Sequence, residues 1–163
     1  MNAALPAALC FDIHELAEAI THSRASDALS CQFTPPDWDV LASYMQPFAM
    51  KSGHVLMEQG SLDRTLYFIE SGTVSVHYED EKERLWMALV GAGTVLGEGS
   101  FFSHLTRRAA VHASAPCKLW RLTSLRFLEL ANRHSAIAME LTMAIGSVMA
   151  KRLYNRARRV AVT

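Results

Sequence analysis

Two stretches of this chain carry residue types able to grip a phosphorylated sugar. The first, Leu96-Gly97-Glu98-Gly99-Ser100-Phe101-Phe102, sets a glycine beside a carboxylate. Gly97 lets the backbone approach a ligand closely, and Glu98 offers a pure hydrogen-bond acceptor. A short loop later, Thr106-Arg107-Arg108-Ala109-Ala110-Val111 opens a β-like run with two arginines. A guanidinium fork can hold a phosphate through two parallel bonds. An acceptor and a cationic fork on one loop suit a small molecule with both a sugar hydroxyl and a phosphate. A short helical turn after Glu98 would point free backbone N–H groups around Gly99, Ser100 and Phe101 at the anion, with that of Ala109 assisting. Taken singly, Arg107 reads rather as a surface arginine before a strand, and Glu98 as a neighbour of a helix cap.

The elements that must position these residues fall into three textures. Near the N-terminus, Asp12 with Glu15 reads as a helix cap, followed by an apolar stripe of Ile13, Leu16, Ala17 and Ile20. Thr34-Pro35-Pro36-Asp37 then starts a second short helix that carries Trp38, Leu41 and Met45. From Gln46 to Leu122 short apolar runs alternate with glycine or charged turns. The runs are Val55–Met57, Leu66–Ile69, Val74–Tyr78, Leu85–Val90, Val111–Ala113 and Leu119–Leu122. Such closely spaced strands predict a sandwich or barrel, with Glu79–Glu83 as an exposed hairpin tip. Beyond Leu122 the pattern turns helical. Thr123 caps a helix with Leu125, Leu128 and Leu130, and a long helix runs from about Ser135 to Arg158. That helix is apolar on two sides, Ile137, Leu141, Ile145 and Val148 on one and Met139, Met143 and Ala150 on the other. A helix apolar on two faces must bury two faces.

Composition narrows the classes. A chain of 163 residues is one domain with room for a core. Sixteen basic and sixteen acidic residues give no global charge to recruit nucleic acid or an anionic membrane. Lys151, Arg152, Arg156, Arg158 and Arg159 crowd the end of the long helix, where cations suit the macrodipole. Cys10, Cys31 and Cys117 are scattered, with no CxxC pair, which argues against zinc or iron–sulfur and fits a reducing cytoplasm. The seven histidines form no His-x-His pair, so a metal-binding cupin is disfavoured. Neither a signal peptide in Met1–Cys10 nor an apolar run of membrane-spanning length is evident. No P-loop, nucleophile elbow or paired carboxylates point to an enzyme.

The loop from Gly97 to Val111 resembles the phosphate-binding cassette of the cyclic nucleotide-binding domain family. Gly97, Glu98, Arg107, Ala109 and Val111 fall in register with the family pattern, whereas Thr106 replaces a proline and Arg108 a small residue. Gly53–Gly60, Asp63–Val74 and Cys117–Leu122 are similar to further strands of that domain, and the likeness covers about residues 34–155. It implies a mainly β fold with flanking helices: a double-stranded β-helix, or jelly roll, with N-terminal helices and a long C-terminal helix. A helical arm at 1–33 would precede a domain at 34–163, its β-roll at about 46–122 and its C-terminal helices at 123–159. By the same resemblance Arg107 pairs with the cyclic phosphate and Glu98 accepts from the ribose 2′-hydroxyl. Gly97, Gly99, Ser100, Arg108 and Ala109 complete the site. The ligand would be cyclic AMP or cyclic GMP, with no prosthetic group and no metal. Asn155, Arg156 and Ala157 stand where some bacterial relatives place a hydroxyl pair on the base. Ile137, Leu141, Ile145 and Val148 are expected to form a homodimer interface, as the matching helix does in dimeric relatives. The chain is thus expected to be a cytoplasmic, non-enzymatic sensor that binds neither DNA nor membrane and acts through an effector protein. The alternative is the same fold with a degenerate pocket, serving as an interaction scaffold.

Overall fold

The computed structural model describes residues 9–79, 81–83 and 85–160. Most of the Met1–Cys10 segment, Asp80 of the hairpin tip, and the side chains of Ala157, Arg158 and Arg159 lie outside the described residues. Two short helices open the fold. The α1 helix (Ile13–His22) is capped by the Asp12 side chain, which accepts from the His14 N–H. The α2 helix (Pro35–Ala42) has a reciprocal capping box between Thr34 and Asp37. Eight strands follow: β1 (Gln46–Met50), β2 (Val55–Met57), β3 (Thr65–Ser71), β4 (Thr73–Glu79), β5 (Leu85–Gly91), β6 (Val95–Leu96), β7 (Ala110–Ala113) and β8 (Cys117–Thr123). A short α3 (Glu98–Ser103) lies between β6 and β7, and α4 (Ser124–Arg133) and α5 (Ser135–Val160) close the chain.

The strands form two antiparallel four-stranded sheets, ordered β1-β8-β3-β6 and β2-β7-β4-β5. Together with the flanking helices they make the jelly roll that the resemblance implies. The first sheet is covered on both faces. Leu66, Phe68, Trp120 and Leu122 face a helical layer that contains Leu16, Leu41, Leu141 and Ile145. Ile69 and Leu119, on the other face of the same two strands, join Val74, Leu96 and Val111 between the sheets. Burial on both faces explains why β3 and β8 read as nearly continuous apolar runs. It also accounts for the N-terminal segment: Ile13, Leu16 and Ile20 of α1 are buried in the main core. The apolar runs of the sequence do not include β1 and β6. β1 lies at a sheet edge, where Pro47 is tolerated, and β6 has only two residues.

One sequence expectation is corrected by this packing. Ile137, Leu141, Ile145 and Val148 are 8%, 0%, 0% and 1% exposed in a single subunit. They form the face of α5 that covers the first sheet, so none of them is left to meet another chain. The outward face is the other apolar side, where Met139 and Met143 are 68% and 69% exposed.

Candidate functional site

The site is built at the junction of β6, α3 and the loop before β7. Gly97 adopts φ +87° and precedes α3, a backbone state that only glycine enters without strain. Its second reason to be glycine is spatial. A Cβ there would lie 2.5 Å from Arg107 Nη1 and 2.6 Å from the Thr65 carbonyl oxygen. The close approach that Gly97 permits is therefore that of the Arg107 side chain, a role the sequence did not disclose. Phe101 anchors α3 from below. It is buried, and its ring meets Phe127 of α4 edge-on at 5.4 Å. Arg64 Nε and Nη2 both donate to the Phe101 carbonyl.

Arg107 is 2% exposed. Its Nη2 donates to Asp63 Oδ2 and to the Thr65 carbonyl, each at 2.7 Å. Its Nη1 donates to the Gly97 carbonyl at 2.9 Å and to Ser100 Oγ at 3.2 Å. The Nε is buried and has no hydrogen-bond partner among the described residues. The backbone is held as firmly, because Arg107 N–H donates to the Ser61 carbonyl and its own carbonyl accepts from Gly60. Burial pushes the Asp63 carboxyl up, but bonds from Arg107 and Thr65 outweigh it and hold the group below its usual range. An arginine this enclosed, with a carboxylate beside it, keeps a fixed orientation.

Glu98 is the first residue of α3, and its partner comes from far along the chain. Arg152 of α5 donates from Nη1 to Glu98 Oε1 at 2.5 Å, from Nε to Asp27 Oδ2 at 2.6 Å, and from Nη2 to the Val95 carbonyl at 2.9 Å. Burial opposes the charge on Arg152, but Glu98 and Asp27 prevail and raise its pKa above the ordinary arginine value. In the sequence Arg152 reads only as one of several cations at a helix end. A signal exists in its charge beside an uncharged stretch, but nothing in the spacing names Glu98 or Asp27 as partners. Asp63 is likewise silent in the sequence, since a carboxylate at the start of a strand has an ordinary turn reading.

The remaining expected residues are placed as follows. Ser100 is buried against Arg107, and Ala109 is half-buried just before β7. Gly99 opens on space: a methyl group added there would meet no atom within 4 Å. Arg108 is exposed and lies 5.1 Å from the centre of the Tyr78 ring on β4. The loop thus brings Gly97, Glu98, Ser100 and Arg107 together, and turns Arg108 toward Tyr78, near the end of β4 in the second sheet. The result is a small polar centre with one buried cation, one carboxylate at a helix start, and one unbonded guanidinium N–H.

The family model described as the cyclic nucleotide-binding domain matches residues 47–134. A cAMP-activated global transcriptional regulator CRP from Pasteurella multocida is 26% identical over 77% of this chain and 58% of its own length. The chain thus spans little more than half of that relative. A cAMP-dependent protein kinase type II regulatory subunit from Drosophila melanogaster is 31% identical over 45% of this chain and 20% of its own length. Among solved structures, a cyclic nucleotide-binding domain from Methylobacillus flagellatus superposes with a TM-score of 0.80 at 22% identity. That match covers 91% of this chain and 82% of the other and is a likeness of fold.

Proposed function

This chain belongs to the cyclic nucleotide-binding domain family, and on that premise we propose that it is a non-enzymatic regulatory module whose cassette binds a cyclic nucleoside monophosphate. The observation that carries the reading is Arg107: a buried guanidinium, oriented by Asp63, with Nε as its one unbonded donor. That donor is covered as the site stands, so a phosphate oxygen would satisfy it by displacing the atoms over it, placing a negative charge beside a cation the fold has already desolvated. Glu98 Oε1 is taken by Arg152, which leaves Oε2 to accept the ribose 2′-hydroxyl. Gly97, Gly99, Ser100 and Ala109 supply the close backbone around the phosphate, and Arg108 stands at the rim.

Occupancy of the site would be transmitted through Arg152. A ligand that engages Glu98 changes the acceptor that holds α5, and through Asp27 the segment after α1 as well. The output is proposed to be a homodimer in contact with an effector protein in the cytoplasm, without DNA or membrane contacts of its own. The exposed side of α5 supports the dimer. Met139, Met143, Gly146, Ala150 and Leu153 are spaced 4-3-4-3 and all exposed. That is the seam of a two-stranded coiled coil.

One observation favours a scaffold without nucleotide as the second reading. Both functional charges already have protein partners, Arg107 with Asp63 and Glu98 with Arg152. Thermal unfolding with and without cyclic AMP or cyclic GMP separates the two readings. A ligand at 100 times its dissociation constant adds about 2.7 kcal/mol of stability. A melting temperature unmoved by millimolar amounts of either nucleotide would favour the scaffold.

A further inference from the structure

Away from the cassette, the turn from α2 into β1, the end of β8 and the start of α4 border a solvent-open cleft of about 410 Å³. Ser43, Tyr44, Gln46, Arg121, Thr123 and Arg126 line it. Its two arginines are solvent-exposed, but each is engaged by neighbouring groups. Arg121 lies opposite Gln46 in the β1–β8 register, donates from Nε to Gln46 Oε1 at 2.8 Å, and sits 5.8 Å from the centre of the Phe48 ring. Arg126 donates from Nη2 to the Ser43 carbonyl at 2.8 Å and sits 5.1 Å from the centre of the Tyr44 ring. Each guanidinium is therefore pinned along one edge by an acceptor and over one face by a ring.

The donors that remain define the chemistry. Arg126 Nη1 pairs with Glu129, whereas the terminal nitrogens of Arg121 carry no hydrogen bond among the described residues. Two cations against one carboxylate leave the cleft with positive charge, and its volume exceeds that of a bare ion. We propose that this cleft is a second binding site, for a small organic anion bearing a phosphate or carboxylate. The Arg121 fork takes the anion from one side, and Arg126 shares its charge between the anion and Glu129. This site stands independently of the cassette, since none of its residues touches Glu98 or Arg107.

The test uses inorganic phosphate and citrate as probes, titrated into the full chain at constant ionic strength and followed by backbone amide NMR. Saturable shifts are expected around Tyr44–Gln46 and Arg121–Arg126. Arg121→Gln should weaken binding about tenfold or more, the range of one charge-assisted bond. Glu129→Gln should tighten it, because the anion then no longer competes with a carboxylate for Arg126. Glu98→Gln should leave it unchanged. The proposal is overturned if neither probe gives saturable shifts at this cleft, if shifts appear only around the cassette, or if Arg121→Gln binds as the wild type does.

Discussion

Arg152 Nη1 lies 2.5 Å from Glu98 Oε1, so a side chain near the end of α5 closes on the first residue of α3, fifty-four positions earlier. Both groups are more than two-thirds buried, at 25% and 16% side-chain exposure. Breaking one partner leaves a partly desolvated charge. Arg152→Gln is expected to lower stability by about 1–3 kcal/mol. Once that arginine is gone, Glu98→Gln should cost little more, which a double-mutant cycle in urea reads directly. Additive losses would mean that the two residues do not act as a unit.

The Arg107–Asp63 pair predicts a particular response to acid. The folded-state pKa of Asp63 is depressed, so its contribution to stability is complete above the unfolded value of about 3.9. It is lost as pH falls through the folded value. Urea midpoints measured from about pH 5 down to about pH 2.5 should therefore fall less steeply in Asp63→Asn than in the wild type. Parallel pH profiles would remove Asp63 from the account.

Gly97→Ala should act on the fold and the site together. The new methyl would meet Arg107 Nη1 at 2.5 Å in a backbone with φ +87°. A left-handed non-glycine residue costs about 1–2 kcal/mol before any displacement of Arg107. A destabilisation of at least that size, with loss of nucleotide binding, is expected from chemical denaturation and calorimetry. Gly99→Ala is the control for stability alone, because nothing lies within 4 Å of its added methyl.

The strand pattern, the helix caps and the cassette are legible in the sequence because each is local. Thr34 with Asp37, Thr123 before α4, and Gly97 beside Glu98 all work within a few residues. The partners that complete the site are not local. Asp63 and Arg152 meet Arg107 and Glu98 across 44 and 54 positions, and no periodicity encodes such pairs. The long helix shows a related limit. Its two apolar sides are visible in the sequence, but which side the sheet covers depends on tertiary packing, and it covers Ile137, Leu141, Ile145 and Val148. The place of Arg108 in the loop suggests a site residue, but its position over Tyr78 depends on how β4 packs beside the loop, which no local pattern encodes.

That packing decides how charge substitutions on α5 should behave. Ile145 is fully buried, so Ile145→Glu should unfold the protein. Met143 is 69% exposed on the outward stripe, so Met143→Glu should leave a folded chain with its circular dichroism intact. If the stripe joins two subunits, sedimentation of the wild type gives a dimer and Met143→Glu a monomer. A wild type that is monomeric at high concentration would contradict the proposed assembly.

Loss of the phosphate grip should be costly in two ways. Arg107→Ala removes the guanidinium from a buried cradle and leaves Asp63 without its cation. Nucleotide binding is expected to weaken by about 2–5 kcal/mol, and the variant should also unfold at lower urea concentration. Unchanged affinity would transfer the phosphate contact to Arg108 or remove the site.

Calorimetric titration with cyclic AMP, cyclic GMP and their 2′-deoxy analogues decides whether the cassette binds a cyclic nucleotide through Arg107 and Glu98. Saturable binding of at least one ribose form is expected. Its 2′-deoxy analogue should bind about tenfold or more weakly, because Glu98 then loses a charge-assisted bond. Absence of binding by both cyclic nucleotides, or equal affinity for the ribose and deoxyribose forms, would contradict binding through these two residues.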